Sequence, residues 1–213
     1  TLHESYRLGR QASLGPVASY ADVAQSVTEV DDRWWDSYLA DLSPPPPQEN
    51  TQVHEAHIEI DAEHWSRLQA RASRTSSTPF MLTIYALFRS LMEVKGTSDL
   101  VISTALSGRE GHLETLAGVV GPFARALPIR AQAPLSLESV VASLEQAMAH
   151  SDASMSSIAR AAGTAAMSTL GRYFLSWMDS SIVAKPEGQL QPQWPEGKFA
   201  YDTASTDTEL MVG

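Results

Sequence analysis

The chain has 213 residues, 43% of them hydrophobic, and a formal net charge of −10, which is enough apolar material for one large domain or two small ones. Its 15 basic residues are scattered through an acidic chain, which argues against a surface that displaces counterions from a nucleic-acid backbone. Cysteine is absent, so disulfides, thiolate catalysis and cysteine-ligated zinc are excluded, in keeping with an expected cytoplasmic location.

The first eight residues read as the end of a helix whose beginning lies upstream, with Gly9 as its stop. Thr1 is not an initiator methionine and no basic segment precedes an apolar run, so the expectation is a fragment or a processed chain without a visible signal peptide. From residue 19 to residue 42, Val23, Val27, Val30, Trp34, Tyr38 and Leu42 recur at spacings of three and four. That pattern predicts one amphipathic helix, with Ser19 as its N-cap. The prolines at 44, 45, 46 and 47 predict a stiff linker, since proline fixes φ and cannot donate a ladder hydrogen bond.

Alternation in Ala56-His57-Ile58-Glu59-Ile60 predicts a half-buried strand. Asp61 then caps a helix reaching Arg74, with Trp65, Leu68 and Ala72 on its core side. Thr78-Pro79 starts the next helix, which runs to Lys95 and stops at Gly96. Its apolar face is Phe80, Ile84, Leu87, Phe88 and Leu91. The apolar stretch over residues 79–92 is interrupted by Thr83, Tyr85, Arg89 and Ser90, too short and too polar to span a bilayer.

Residues 100–106 and 123–129 read as strands. Residues 137–150, capped by Ser136, read as a helix with Val140, Val141, Leu144 and Met148 on its apolar stripe. A short helix and further strands are expected beyond it. The aromatic-rich run from Tyr173 to Met178 is one strand, and residues 198–201 pair with residues 209–212 around a polar turn, after a loop over residues 186–195. Strands alternating with helices predict an α/β fold, a two-layer sandwich of helices on a mixed sheet.

Self-contained catalytic motifs are missing: there is no Gly-Lys phosphate loop, no dinucleotide-type glycine triplet and no Gly-x-Ser-x-Gly elbow. His54 and His57, three apart on an expected strand, point to opposite faces and cannot share a metal. His64 falls in a first helical turn and His112 in a loop, neither with a spaced partner, so no metal site is expected. His150-Ser151-Asp152 places three chemically able residues side by side, but neighbours in sequence do not face one another. A helix end, with His150 against the negative dipole terminus, is the simpler reading beside a catalytic one. The Trp34-Trp35 pair and Trp177 read as packing rather than as a ligand box.

Several segments taken in order resemble another pattern. Tyr20-Ala21-Asp22-Val23-Ala24, Trp34-Trp35-Asp36-Ser37-Tyr38-Leu39, Thr78-Pro79-Phe80-Met81-Leu82, Ser103 to Arg109, Gly121 to Arg130 and His150-Ser151-Asp152 together resemble the condensation domains of nonribosomal peptide synthesis, in the chloramphenicol acetyltransferase-like superfamily. The stretch resembles the C-terminal portion of such a domain. It implies residues 1–48 as a helical segment linking from an N-terminal lobe, and residues 49–213 as a C-terminal lobe, incomplete at its C-terminal end.

In that family two lobes form a V around a tunnel, which carrier-protein-tethered thioesters enter from opposite ends. The resemblance therefore implies transfer of an acyl or aminoacyl group to an amine or hydroxyl. It also implies a peptidyl or acyl carrier protein as partner, phosphopantetheine as substrate arm, no tightly bound cofactor, and no nucleic-acid or membrane partner. The family's His-His-x-x-x-Asp-Gly motif is not in this sequence, so no catalytic residue is assigned in the chain and the motif is expected upstream of Thr1. The implied tunnel candidates are Ser103, Ser107, Gly121, Arg125 and Ser176. Where the family shows Asn-Thr this chain has Arg125-Ala126, and where it shows Phe this chain has Pro122. Arg125 is open to two readings, a partner for a substrate or phosphopantetheine oxygen or a structural salt bridge. A non-catalytic module of the same fold that docks a carrier protein or partner domain is the alternative to an enzyme lobe. A third reading is a member of the superfamily that uses a soluble coenzyme A thioester.

Overall fold

The structure is a computed structural model that describes residues 18–26, 30–42, 54, 56–109, 116, 118–163, 166–177 and 210–212. In chain order the elements are α1 (Tyr20–Ser26), α2 (Trp34–Tyr38), α3 (Ala62–Arg74), α4 (Pro79–Lys95), β1 (Asp99–Leu106), β2 (Arg125–Gln132), α5 (Leu137–Ala149), α6 (Met155–Ala162), α7 (Ala166–Leu170), β3 (Tyr173–Leu175) and β4 (Leu210–Val212). They fall into two compact units. The larger holds Glu29–Leu106, Arg125–Trp177 and Asp202–Gly213; the smaller holds Thr1–Thr28, Ser107–Ala124 and Met178–Tyr201.

The larger unit is built on a mixed four-stranded sheet in the order β2-β1-β3-β4. β1 and β2 are antiparallel from Asp99 opposite Gln132 to Leu106 opposite Arg125, while β1–β3 and β3–β4 are parallel. β1 is buried at five successive residues from Leu100 to Thr104, as a central strand covered on both faces must be. Leu100 and Ile102 join Ile129, Ala131, Tyr173 and Leu175 in one cluster, under Ile84 and Phe88 of α4 and Val140 and Leu144 of α5. Val101, whose side chain points the other way, packs in a second cluster with Trp35, Leu39, Ile158 and Leu170. The α/β sandwich with helices on a mixed sheet is thus the observed architecture.

Local signals fix the long helices. Asp61 accepts from the His64 N–H to start α3, and Thr78 accepts from the Met81 N–H just ahead of Pro79 to start α4. Gly96, at φ +63°, ends α4 in the left-handed region that glycine enters without a Cβ penalty. Ser136 and Ser139 form a reciprocal capping box on α5. On α5 the buried stripe is Val140, Leu144 and Ala147, while Met148 is exposed, one position off the stripe predicted from residue type.

The helix predicted over residues 19–42 is two short helices instead. Ser19 does accept from the Asp22 N–H at 3.1 Å, but Val30 bridges to Ala153, and Asp32 Oδ1 accepts from the Trp34 N–H at 2.9 Å to begin α2 afresh. Side chain to backbone bonding by Asp outcompetes the continuous helix there. Residues 56–60 are not a strand: all five are exposed, Ile58 at 84%. Alternation permits an extended chain, but a strand needs a ladder partner, and none lies against this stretch among the described residues. The strand expected at 123–129 begins and ends later, and the one expected at 173–178 is ordered as a strand only over β3. Two short helices, α6 and α7, fill the interval where one was expected. The predicted helix at 1–8, the proline linker, the 186–195 loop and the 198–201 strand lie outside the described residues.

The smaller unit holds a compact cluster of its own. Tyr20 meets Phe123 edge-on at 5.0 Å and donates its hydroxyl to the Pro122 carbonyl. The Arg109 guanidinium lies 4.3 Å over the Phe123 ring and donates to the carbonyls of Leu116 and Val119. Two glycines permit these approaches. A Cβ on Gly108, whose φ is +70°, would lie 1.8 Å from the Phe123 carbonyl oxygen, and one on Gly121 would lie 2.2 Å from the Tyr20 ring.

Candidate functional site

The antiparallel β1–β2 pair carries most of the chemistry. At its Asp99 end, Arg130 binds Asp99 through Nε and Nη2 at 2.9 and 2.5 Å, and its Nη1 donates to the carbonyls of Tyr38 and Ala40 at 3.0 and 2.7 Å. Burial pushes the Asp99 carboxyl up, but the Arg130 and Gln132 hydrogen bonds outweigh it and hold its pKa below the ordinary range. The Arg130 N–H donates to the Tyr38 hydroxyl, and the Ser143 hydroxyl donates to the Arg130 carbonyl. Ser143 has then spent its proton, so Tyr38 donates to Ser143 across their 2.6 Å contact. Burial raises the Tyr38 pKa and keeps that proton in place. Together with Pro128, which has no N–H, these side chains occupy outward groups of an edge strand that would otherwise invite another chain.

At the opposite end of the pair, Arg125 stands across from Leu106. Its side chain is 26% exposed, and Nη2 reaches the exposed Asp152 Oδ1 at 3.4 Å. Its Nε is shut off from solvent and has no acceptor among the described residues.

The other sequence-derived candidates are placed differently. Ser103 is buried and donates to the Leu170 carbonyl at 2.6 Å, so its hydroxyl ties β1 to the end of α7. Ser107 is exposed and accepts from the Arg109 N–H. Gly121 faces the Tyr20 ring. Ser176 follows β3, and its N–H donates to the Val212 carbonyl at 2.7 Å. Ser107 and Gly121 belong to the smaller unit, and Ser103, Arg125 and Ser176 to the larger.

One group of residues was not legible from spacing. His150, at the C-cap of α5, bonds through Nδ1 to Asp32 Oδ2 at 2.5 Å across 118 positions of sequence. Its ring stacks on Trp34 at 4.2 Å with an interplanar angle of 2°, and its carbonyl accepts from Trp35 Nε1. Burial works to raise the Asp32 pKa, but the Trp34 N–H and His150 prevail and lower it. His150 is therefore a helix end, as its position suggested, with a carboxylate partner no local pattern announced. Asp152 points elsewhere, toward Arg125. Beside this joint an open cleft of about 310 Å³ is lined by Asp31, Ser154, Ser156, Ser157 and Arg160. Arg160 spends its charge on Asp31 at 2.7 Å and Asp36 at 3.4 Å, so the cleft walls pair with each other. His64 is held by Asp61, while His54 and His57 are exposed. Among the described residues no cluster of His, Asp or Glu is placed to hold a metal ion, and no helix is long and apolar enough to cross a membrane.

The family described as Condensation domain matches residues 1–158. This chain belongs to the condensation-domain family. The order of its motifs from Tyr20 to Asp152 agrees with that match. Surfactin synthase subunit 1 of Bacillus subtilis (strain 168) is 29% identical over 89 residues, which is 42% of this chain and 2% of that protein. The first condensation domain of the CDA synthetase superposes with a TM-score of 0.63 at 21% identity, over 84% of this chain and 43% of the other. The X-domain from teicoplanin biosynthesis gives a TM-score of 0.59 at 20% identity, over 80% and 45%. The chain thus spans under half the length of these structural neighbours and a small fraction of its curated relative. At these identities the neighbours establish the fold of the condensation domain described above.

Proposed function

We propose that this chain is the C-terminal lobe of a condensation-type acyltransferase that joins a carrier-protein-bound acyl or aminoacyl thioester to an amine or hydroxyl acceptor. The observation that carries the reading is the family match over residues 1–158, supported by the β1–β2 framework that presents Arg125 at one sheet end. In the reaction, the acceptor nitrogen or oxygen attacks the thioester carbonyl, the carbon–sulfur bond breaks, and the acceptor's proton passes through a general base to the departing phosphopantetheine thiolate. The base is the second histidine of a His-His-x-x-x-Asp-Gly motif on an N-terminal lobe. The lobe formed by this chain supplies a tunnel wall in a cytoplasmic setting beside a carrier protein, with Arg125 and Ser176 of the larger unit as candidates to line it.

A second reading, a docking module, is favoured by one observation: an X-domain of this fold, with a TM-score of 0.62, is solved in complex with OxyB from teicoplanin biosynthesis. The test is acyl transfer by the full-length protein from a loaded carrier protein to a panel of amines and alcohols. Turnover that disappears when the upstream motif's second histidine is replaced by alanine supports the acyltransferase. Carrier binding with no turnover for any donor and acceptor would leave the docking module standing instead.

A further inference from the structure

Among the described residues the donors of the Arg125 guanidinium are largely uncommitted. Arg130 on the same strand meets four oxygens, and Arg109 meets two carbonyls and an aromatic face. Among the described residues the Arg125 side chain has one polar contact, 3.4 Å from Nη2 to Asp152, beyond the usual length of a charge-assisted hydrogen bond. No acceptor stands at its buried Nε among the described residues, so none of them draws off the cation's charge on the inner side. The outer, Nη edge is the accessible one, and Asp152, with 71% of its side chain exposed, is a loosely seated occupant.

We infer that Arg125 is a receptor for a substrate oxyanion, a planar carboxylate that takes the Nη edge in a two-bond fork and displaces Asp152. The inference deepens the acyltransferase reading and rests on it: the substrate carries a free carboxylate besides its reacting group. That carboxylate comes either from the acceptor, as the α-carboxylate of an untethered amino acid, or from the side chain of a tethered acyl donor. A fork to a planar anion is what guanidinium does and a lysine ammonium does not. Asp152, on this view, is a stand-in that keeps the cation neutralised until the substrate arrives, and a competitor that lowers its affinity.

The full-length protein tests this in two ways. In turnover, kcat/KM is compared for glycine against glycinamide as acceptor, and for a succinyl against a butyryl thioester as donor. A preference of roughly ten- to a hundred-fold for the carboxylate in one arm identifies its source. Arg125→Leu is expected to abolish that preference, Arg125→Lys to weaken it, and Asp152→Asn to raise it. In direct binding, calorimetry with glycine and with succinate needs no turnover. Saturable binding lost in Arg125→Leu and strengthened in Asp152→Asn supports the receptor even when no acyl transfer is seen, which separates its fate from that of the acyltransferase reading. Saturable binding absent from the native protein, or binding that Arg125→Leu leaves unchanged, overturns it.

Discussion

The two ends of β2 carry the same residue type in opposite states. Near its C-terminal end Arg130 is locked by Asp99 and by the carbonyls of Tyr38 and Ala40. At its N-terminal end Arg125 has a long contact to a solvent-exposed carboxylate and a buried N–H with no acceptor among the described residues. A buried or half-buried donor left unmatched costs free energy, so a strand that satisfies one arginine completely and the other poorly uses them differently. The Arg130 end is a support: it ties α2 to the sheet edge and fixes the ladder register. The Arg125 end holds a cation ready for something the strand itself does not provide.

The largest expected effect comes from undoing the supported end. Arg130→Leu leaves Asp99 without its cation and the Tyr38 and Ala40 carbonyls without a donor, and should cost about 3 kcal/mol, since breaking one side of a partly buried pair strands the other. Urea denaturation of the chain measures it, and a loss under about 1 kcal/mol would remove the contrast between the two ends. Acid titration sharpens the same point. The folded pKa of Asp99 lies below its unfolded value, so its contribution is fully present above the unfolded value of about 4 and is lost as pH falls through the folded one. The stability gap between native and Arg130→Leu chains should therefore narrow between about pH 5 and pH 2. A gap that stays constant over that range would assign the stabilisation to packing of the Arg130 stem instead of to the ion pair.

Legibility followed the range of the interactions. Caps and stops act within a few residues, so Asp61, Thr78, Gly96 and Ser136 marked helix boundaries that the structure keeps. The break between α1 and α2 was hidden because the valine and tryptophan spacing is helical throughout. What interrupts it is Asp32, whose carboxylate serves both the Trp34 N–H nearby and His150 across the fold. The strand expected at 56–60 failed for the converse reason: alternation describes a side-chain pattern, while a strand exists only with a partner. At the candidate site, the motif order pointed to Arg125 as a departure from the family pattern. Its relation to Asp152, and the full commitment of Arg130, depend on β1–β2 register and on the turn after α5, which no single segment encodes.

The smallest expected effect belongs to the other end of the strand and makes the comparison decisive. Arg125→Leu deletes a long, solvent-screened contact, which is worth little, and it also deletes a buried N–H that none of the described residues satisfies, which is a gain. The leucine covers part of the same apolar stem surface. The net change should lie within about 0.5 kcal/mol of zero, on either side, in the same urea titration. A loss comparable to that of Arg130→Leu would show that Arg125 is a structural member of the fold, and its open donors would then need no ligand to explain them. A neutral result, set beside a large loss at Arg130, leaves an arginine that the folded lobe holds half-buried without needing it for stability, and places its purpose outside folding.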